Sequence, residues 1–543
     1  MICGSQPKLH LYVHMHKCTE EKQESNPHMA SISKSKPLVT RLCALCCYFA
    51  LLMCGVDGRS VKPGGLKIKA VNLGGWLNTE GWIFPALFDG IVNKDLLDGT
   101  KVHLKSLTLG KYLSAELGGG SIIVANRSSP SGWETFKLWR INETTFNFRV
   151  FNNKFIGIDT AGNGAGMVAV ATVPGSSESL TILRNPAGGQ RVRIQAPNGL
   201  FLQAKTEDLV MADHSDSESR WDDGDPSVFH MTVVGNMHGE YQVTNGYGPN
   251  ATKVMNEHWA TYIVEDDFKF IASNGLNAVR IPIGWWIASD PNPPKPYVGG
   301  SLAALDRAFK WAEKYKLKVV IDLHAAPGSQ NGDEHSSSRD GSLEWGQTDA
   351  SIQTTVDVIE FLASRYSRSP SLYGVQLLNE PRAPGVTLEM LSKFYRAGYE
   401  AVRRHSSSAY VIMANRLGPH EETELFPLAS GRTGSVVDIH YYNLFWAEVF
   451  NNMTVQQNID FLKTNRSAQL SEVTTANGPP IFIGEWVAEW MVSGATKEDY
   501  RLFAEAQLEV WGRASFGWAY WTLKNVNNHW SLQWMINNGY ITL

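Results

Sequence analysis

The sequence predicts an α/β protein, a (β/α)8 TIM barrel whose chain is interrupted early by an inserted all-β domain. Two textures along the chain indicate this arrangement. From about residue 256 onward, β-rich runs alternate with amphipathic helical stretches, the pattern of a parallel sheet wrapped by helices. Between about residues 100 and 235, short β-like runs dominate and Gly and Ser are frequent.

Eight apolar runs supply the expected barrel strands. One run precedes the β-rich region and seven follow it, so the predicted insertion separates the first strand from the others. Between two of the runs, the stretch Ser301–Tyr315 places Leu305, Ala308 and Ala312 on one face, as an amphipathic helix does. In such barrels the active site lies at the carboxyl ends of the strands. The runs are 68–73, 279–283, 319–323, 375–378, 411–413, 436–439, 481–483 and 518–521.

The β-rich region contains a loose threefold repeat. Similar four-residue runs begin at Tyr112, Phe155 and Phe201, which are 43 and 46 residues apart. Because each unit is too small to bury its own apolar face, three units are expected to pack together as a β-trefoil. An apolar pair closes each unit: Phe136 with Leu138, Leu180 with Ile182, and Phe229 with Met231.

The first 54 residues have the features of a secretory leader. They contain all six cysteines and an apolar block at 42–54 that follows Lys34, Lys36 and Arg41. The block is too short to span a bilayer comfortably and fits the apolar core of a signal peptide, with a buried helix as the alternative. Met29 offers a second start, which makes residues 1–28 an upstream extension. We therefore expect a secreted protein of the extracellular space or cell wall, with a cysteine-free mature chain and no membrane association after signal removal. Glycosylation sequons at Asn126, Asn142, Asn250, Asn452 and Asn465 agree with secretion.

These features divide the chain into four parts. We expect the extension and signal peptide at 1–54, the first part of the barrel at 55–99, the β-trefoil at 100–235, and the rest of the barrel at 236–543.

The charge of the chain excludes one class of partner. The formal net charge is −4, the isoelectric point is near 6.4, and Lys and Arg form no cluster. A surface that tracks nucleic-acid phosphates needs such a cluster, so no nucleic-acid partner is expected.

Polar or aromatic residues end six of the eight predicted strands. A charged side chain directly after buried aliphatic residues is costly unless it serves a site or is satisfied at the barrel rim. Any one of these residues taken alone fits either explanation, but six strands ending this way on one rim favour a site. The residues are Arg280, His324, Asn379, Glu380, His440, Tyr442, Glu485 and Trp521.

Two carboxylates without an obvious metal cluster favour glycosidic chemistry. Glu380 and Glu485 end the fourth and seventh strands and are expected to face each other across the barrel mouth. Hydrolysis of a glycosidic bond needs one group to protonate the leaving oxygen and another to attack or stabilise the anomeric carbon. Arg280 and Tyr442 can keep Glu485 ionised, Asn379 can bond a sugar hydroxyl, and Trp521 can offer an apolar platform to a sugar ring. No metal and no cofactor is expected.

Several motifs together resemble glycoside hydrolase family 5, in particular its exo-1,3-β-glucanase-like branch, whose plant members carry a fascin-like insertion. The resemblance implies that Glu380 is the general acid/base and Glu485 the nucleophile of a retaining, metal-free enzyme. It also implies that Arg280, His324, Asn379, His440, Tyr442 and Trp521 position the substrate or support the nucleophile. The motifs are VNLGGWL (71–77), EDDFKFIASNGLNAVRIPIGWW (265–286), IDLHAAPGSQNG (321–332), LLNEP (377–381), DIHYY (438–442), GEW (484–486) and YWTLK (520–524).

One position departs from that branch. The family has a Phe after the Asn-Gly of the IDLHAAPGSQNG loop, where it clamps the aglycone sugar, and this chain has Asp333 instead. The partner aromatic of the clamp is present as Phe445. Half a clamp predicts weak aglycone selectivity, which favours a β-glucosidase or exoglucanase broader than a strict 1,3-β-glucan enzyme.

The substrate implied by the resemblance is a β-linked glucan, oligosaccharide or glucoside, attacked from its end. Two alternatives stay open: an endo-acting β-mannanase or cellulase of the same family, and a non-catalytic carbohydrate-binding or actin-bundling protein led by the trefoil. Secretion argues against actin, and the complete catalytic set argues against binding alone. The trefoil itself is a candidate for contact with cell-wall polysaccharide.

Overall fold

The computed structural model describes residues 65–159, 165–215 and 220–543. The expectations for residues 1–54, including every cysteine and the signal peptide, lie outside these ranges. Within them, eight parallel strands form a closed barrel and a separate group of strands forms an all-β domain. The predicted fold class is confirmed.

The first barrel strand, β1, spans Ile68–Asn72 and is followed by the inserted domain. The described residues of this domain form twelve strands. The strands are β2 (Lys101–Ser106), β3 (Tyr112–Ala115), β4 (Ile123–Arg127), β5 (Phe136–Arg140), β6 (Thr145–Arg149), β7 (Phe155–Ile158), β8 (Met167–Ala171), β9 (Leu180–Arg184), β10 (Arg191–Gln195), β11 (Phe201–Thr206), β12 (Leu209–His214) and β13 (Phe229–Gly235).

The pairing in the inserted domain has threefold regularity. Strands β2, β5, β6, β9, β10 and β13 pair in that order and close on themselves, which makes a six-stranded ring. Hairpins β3–β4, β7–β8 and β11–β12 complete three four-stranded units, a connectivity of the β-trefoil type. The predicted repeat starts Tyr112, Phe155 and Phe201 are the first residues of β3, β7 and β11. The six predicted apolar residues that close the units are all buried.

The barrel resumes after the inserted domain with alternating helices and strands. Its strands are β14 (Ala278–Gly284), β15 (Lys318–Ala325), β16 (Leu372–Gln376), β17 (Tyr410–Ala414), β18 (Ser435–His440), β19 (Ile481–Trp486) and β20 (Gly517–Tyr520). The helices are α1 (Glu240–Tyr247), α2 (Ala251–Thr261), α3 (Glu265–Ser273), α4 (Ser301–Tyr315), α5 (Asp349–Tyr366), α6 (Leu388–His405), α7 (Phe426–Ala429), α8 (Ala447–Phe450), α9 (Val455–Phe461), α10 (Ser467–Val473), α11 (Lys497–Trp511) and α12 (Leu532–Asn537).

Strand β1 closes the barrel because it pairs with β14 on one side and with β20 on the other. All eight predicted runs overlap these strands. The fourth is shifted, since β16 ends at Gln376 while the run extends to Leu378. Leu377 still donates its backbone N–H to the Ile412 carbonyl at 2.9 Å, so the chain stays extended toward the barrel mouth. No helix among the described residues is long and apolar enough to cross a membrane.

The barrel interior changes character from one end to the other. Apolar side chains such as Ile68, Val320 and Phe482 pack at one level of the interior. Arg280 on β14 and Asp322 on β15 lie nearer the carboxyl ends of their strands and are fully buried. The polar end of the interior forms the floor of the site described below.

The threefold core of the inserted domain gives a stability prediction. Phe136 is 0% exposed in this core, whereas Phe151 on the same domain is 65% exposed. Phe136→Ala should lower the free energy of unfolding of the domain by about 3–5 kcal/mol, because it removes a buried ring and leaves a cavity. Phe151→Ala is the matched control and should change it by less than about 0.5 kcal/mol. Equilibrium unfolding in urea measures both values, and equal losses would contradict the assigned core.

Candidate active site

A single buried guanidinium organises the floor of the barrel mouth. Arg280 on β14 is 0% exposed and donates from Nη1 to Asn72 Oδ1 at 2.8 Å and to Glu485 Oε1 at 3.0 Å. Its Nη2 donates to Asn379 Oδ1 at 2.7 Å and its Nε to Gln376 Oε1 at 2.8 Å. One side chain thus connects groups carried by β1, β16 and β19 and the segment that follows β16.

Carboxylates surround Arg280 and hold its charge. Asp322 Oδ2 lies 3.1 Å from Nη2, and Asp438 Oδ2 lies 4.0 Å away. Burial opposes a charge on Arg280, but the attraction of Asp322, Glu485 and Asp438 outweighs burial and raises its pKa above its usual range. A buried cation of this kind is stable only with such partners.

Glu380 and Glu485 face each other, as the strand ends predict. Glu485 Oε2 accepts a hydrogen bond from the Tyr442 hydroxyl at 2.8 Å. Glu380 Oε1 lies 2.6 Å from His440 Nδ1, and that same nitrogen lies 3.5 Å from Glu485 Oε2. Carboxylate oxygens of the two glutamates come within 4.8 Å of each other. The two acidic groups therefore share one small space, with an imidazole between them.

His440 is held as a cation by the acids around it. Its Nε2 lies 3.0 Å from Asp438 Oδ2. Burial alone would lower the pKa of His440, but Glu485, Asp438 and the hydrogen bond to Glu380 raise it well above its ordinary value. Asp438 is in turn fixed by Gln376 Nε2 at 2.8 Å.

Glu380 has an unusual backbone conformation. Its φ is 45°, in the left-handed region that residues other than glycine rarely adopt, at a cost of about 1–3 kcal/mol. Asn331 Nδ2 donates to its carbonyl at 3.1 Å and helps to hold it. Burial would raise the pKa of the Glu380 carboxyl, but hydrogen bonds from His335 and His440 lower it well below the ordinary value.

His324 and Trp521 form one side of the site. Their rings are 5.5 Å apart and nearly parallel, at 13°. His324 Nδ1 lies 2.6 Å from Asp322 Oδ2, and burial lowers the pKa of His324, so its ring is a neutral hydrogen-bonding group. Trp521 is only 3% exposed, which is less open than a solvent-facing platform for a sugar.

Aromatic side chains form the outer wall of the mouth. Phe445 is 59% exposed, and its ring lies 5.1 Å from Tyr442 and 6.3 Å from Trp530. Trp530 also packs edge-on against Trp82 at 4.9 Å. The carboxylate of Asp333, which replaces the family Phe, pairs with Arg382 rather than offering a free polar face.

The structure therefore brings every predicted site residue to one end of the barrel and adds others that the sequence analysis missed. Asp322 and Asp438 each stand two positions before a predicted histidine, in the repeated pattern Asp-x-His, so strand periodicity could have found them. The segments around Glu80, His335 and Trp530 lie in loops, where no periodicity points to a site. The additions are Asp322 and Asp438 on the strands, these three loop residues, and Asn72 and Gln376.

Glu80 has the environment of a neutral carboxyl. Trp82 Nε1 donates to its Oε2 at 2.9 Å, while Oε1 has no hydrogen-bond partner among the described residues and lies 4.0 Å from His324 Nε2. Burial raises the pKa of Glu80 to about 8, although His335 and Trp82 oppose this. Glu80 Oε1, which lacks a hydrogen-bond partner among the described residues, can bind a hydroxyl group.

The described residues contain one cluster with metal-ligand spacing, Glu380, His440 and Glu485. Its atoms already bond to one another and to protein donors, and the Arg280 guanidinium lies 3.0 Å from Glu485. A fixed cation at that distance repels a metal ion, so the donor set fits proton transfer better than metal binding.

Known proteins resemble this chain over its barrel segment and over its inserted domain. A family model described as Cellulase (glycosyl hydrolase family 5) matches residues 243–527, and one described as a domain of unknown function (DUF7910) matches residues 93–234. The chain is 32% identical over 346 residues to a probable glucan 1,3-β-glucosidase A of Aspergillus fumigatus, across 55% of this chain and 79% of the relative. It is 32% identical over 365 residues to a glucan 1,3-β-glucosidase of Pichia angusta, across 58% of this chain and 81% of the relative. The crystal structure of a rutinosidase from Aspergillus niger matches 55% of this chain and 88% of its own, with 22% identity and a TM-score of 0.48.

The parallel barrel, its paired carboxyl groups and the match to a glycosyl hydrolase model together identify a barrel hydrolase. The matched segment covers more than half of the residues, and the chain belongs to glycosyl hydrolase family 5. The predicted class of enzyme, a glycoside hydrolase acting on a glycoside, is therefore confirmed. The likeness of the inserted domain to fascin stays a prediction, because the family model that matches it has no assigned function.

The raised pKa of Glu80 gives a prediction about stability and pH. A carboxyl with a folded pKa near 8 binds a proton that the unfolded chain releases near 4.5, so stability falls as pH rises between these values. Glu80→Gln should remove this part of the decline, on the order of 5 kcal/mol at most across the interval. The decline should not vanish, because burial also raises the pKa of Glu240 to about 7. Thermal unfolding from pH 4.5 to pH 8 measures the slope. The exposed Glu143 gives the control Glu143→Gln, and equal slopes for both variants would contradict the assignment.

Proposed function

We propose that the protein is a retaining, exo-acting β-glycosidase that releases glucose from β-glucans, oligosaccharides or glucosides, with Glu485 as nucleophile and Glu380 as general acid/base. The observation that carries this proposal is the approach of the two carboxyl groups to within 4.8 Å. Retaining glycosidases place these groups about 5–5.5 Å apart, whereas inverting enzymes need about 6.5–9.5 Å to admit a water molecule.

The different partners of the two acids support the assigned roles. Glu485 accepts a hydrogen bond from Arg280 at Oε1 and another from Tyr442 at Oε2, and these two bonds fix the orientation of its carboxyl group. Glu380 instead contacts imidazoles, which can exchange a proton with it. A nucleophile needs a fixed negative charge, and an acid/base needs a proton that can leave and return.

The reaction then proceeds in two displacements. Glu485 attacks the anomeric carbon and forms a glycosyl ester, while Glu380 gives its proton to the leaving glycosidic oxygen. In the second step Glu380 removes a proton from water, which attacks the same carbon and releases Glu485. Formation of the ester removes the charge of Glu485, which helps to hold the proton on His440. Glu380 therefore acts beside a negatively charged Glu485 in the first step and beside an uncharged ester in the second.

The remaining predicted residues suit substrate positioning. Asn379 receives its orientation from Arg280, and its amide nitrogen points toward His324 at 3.4 Å, at a depth where a sugar hydroxyl would lie. Phe445 and Trp530 form an apolar wall outside Tyr442, where the aglycone sugar would stack. A position 333 without an aromatic ring supports modest aglycone selectivity.

The substrate class rests on relatives that are glucan 1,3-β-glucosidases. Endo action on mannan or cellulose is the alternative within the family. A non-catalytic role is set aside, because the chain belongs to a hydrolase family and carries both acids.

We also propose that the mature protein is secreted and begins shortly after Cys54. The leader pattern of residues 34–54 and the five sequons support this. The inserted domain exposes Leu117, Phe151 and Val173, apolar side chains that suit contact with cell-wall polysaccharide.

Substitution of either acid tests the roles. Glu380→Gln and Glu485→Gln should each lower turnover by at least about a hundredfold with the fold intact. Azide should partly restore a Glu485→Gly variant, because a small anion can occupy the vacated position. Steady-state kinetics measure these effects, with Glu422→Gln, a partly buried carboxyl outside the pair, as the control. Near-normal turnover in either Gln variant would refute the assignment.

The stereochemistry of the product tests the mechanism. A double displacement on a β-glucoside should give β-glucose first, followed by slow mutarotation. Proton NMR at early times distinguishes the anomers, and an initial α-product would indicate an inverting enzyme.

The products of oligosaccharides test the substrate and the direction of attack. Laminari-oligosaccharides should yield glucose from the first time point, and cello-oligosaccharides should react more slowly but in the same manner. Chromatography of the products over time resolves this. Early release of internal fragments, or a preference for manno-oligosaccharides, would favour the endo-acting alternative.

A further inference from the structure

One loop connects the inserted domain with the catalytic acid. It spans residues 326–348 between β15 and α5 and contains a short helical turn at Glu334–Ser336. Loops usually lie on the surface with their polar groups in water, but polar residues along this loop are buried. They are Ser329, Gln330, Asn331, Ser336, Ser337, Ser338 and Asp340.

The first part of the loop lies against the site. Gln330 Nε2 donates to the carbonyls of His324 and Asn379 at 2.7 and 2.8 Å. Asn331 donates to the carbonyl of Glu380. These bonds place His335 with its Nε2 at 3.3 Å from Glu380 Oε2.

The second part of the loop is held by the inserted domain. Asp340 is 1% exposed, and its Oδ2 accepts from Arg149 Nη1 at 2.6 Å and from Trp139 Nε1 at 2.7 Å. Arg149 Nη1 also donates to Ser342 Oγ at 3.0 Å. Burial would raise the pKa of Asp340, but Lys137 and Arg149 lower it to about 2, so it is a carboxylate at any working pH.

The neighbouring residue strengthens the same attachment. The Arg339 guanidinium lies 3.8 Å from the centre of the Trp139 ring, and its Nε donates to Asp98 Oδ1 at 2.8 Å. Strands β5 and β6 thus fix residues 339–342, only a few positions after His335.

We propose that the inserted domain is a brace for catalysis: by holding Asp340 it fixes the 326–348 loop, and the loop keeps His335 against Glu380 as the positioning residue of the acid/base. This inference rests on the proposed role of Glu380. It gives the inserted domain a function in the hydrolytic reaction itself, in addition to any contact with polysaccharide.

His335 and Glu380 can share one proton. With the proton on His335, Nε2 donates to Glu380. With the proton on Glu380, Nε2 can instead accept from Asn331 Nδ2, which lies 2.8 Å away. His335 Nε2 therefore has a hydrogen-bond partner in either state. The proton that Glu380 needs as an acid can reside on the His335 imidazole between reaction steps.

The surroundings of His335 favour the state in which the shared proton resides on its imidazole. Burial lowers the pKa of His335, but Glu380, Asp333 and Glu80 raise it to about 10. The other titratable groups that face it are Glu334 on the same turn and the His324 ring at 5.4 Å. The pair then loses its single proton only at high pH, which places the basic limb of activity there.

The first test removes the imidazole that shares the proton with Glu380. His335→Gln keeps a hydrogen-bond donor but cannot titrate, so the basic limb of kcat/KM should move to lower pH by at least about one unit. On glycosides with poor leaving groups kcat/KM should fall by about tenfold or more near neutral pH, and on 2,4-dinitrophenyl glucoside it should change little, because that leaving group needs no proton. An unmoved basic limb would overturn the proposal.

The second test reaches His335 through the inserted domain. Arg149→Met should move the basic limb in the same direction by a smaller amount, and it should add nothing in a His335→Gln background. Arg193→Met is the matched control, because Arg193 is also a buried arginine of the same domain and pairs with Asp225 at 2.6 Å rather than with the loop. Asp340→Asn replaces Arg149→Met if the latter does not fold. Additive effects, or an equal shift in the control, would refute the brace.

Glu380→Gln separates this inference from the proposed function. It should show the same dependence on the leaving group as His335→Gln, but more strongly. If Glu380→Gln lacks that dependence, the acid/base role of Glu380 is wrong. If Glu380→Gln has it and His335→Gln does not, the acid/base role stands and the brace alone is refuted.

Discussion

The buried charge of Arg280 is the constraint on which the rest of the barrel mouth depends. A guanidinium at 0% exposure must have all of its donors and its charge satisfied, and the chain meets this need with groups from β1, β15, β16, β18 and β19. Those same partners are the groups that orient the two acids. Asn379 precedes Glu380, Asp438 fixes His440, and Glu485 bonds to Arg280 directly. The need to satisfy the Arg280 cation therefore fixes the positions of the groups that orient both acids.

The sequence predicted the barrel and the groups at its strand ends well, because both follow from periodicity. A parallel strand buried on both faces reads as an apolar run, and a polar residue where the run ends marks the mouth. The shift of the fourth strand shows the limit of this reasoning, since Leu377 and Leu378 are buried beyond the last residue of β16. Apolarity reports burial but does not report where regular pairing stops.

Loop residues were missed for the opposite reason. Glu80, His335 and Trp530 reach the site through turns whose course depends on distant contacts, such as the bond from Asn78 to the His335 carbonyl at 2.7 Å. Asp333 illustrates the same point. The sequence shows only that Asp333 lacks the aromatic ring found in the family. The structure shows that its carboxylate forms an ion pair with Arg382. A loop residue acquires its chemistry from neighbours that a linear pattern does not contain.

The position of the inserted domain has a consequence for how the barrel can assemble. Its first and last strands pair with each other, and Lys101 lies opposite Gly235 at the end of that ladder. Once the domain has formed, the chain leaves it beside the point where it arrived, so residues 101–235 add no long flexible loop between the barrel segments on either side. The entropy of closing a long connection between β1 and β14 is then met inside the domain, by its own apolar core. A complete domain can in this way stand between two neighbouring barrel strands at a lower entropic cost than a flexible segment of the same length would have.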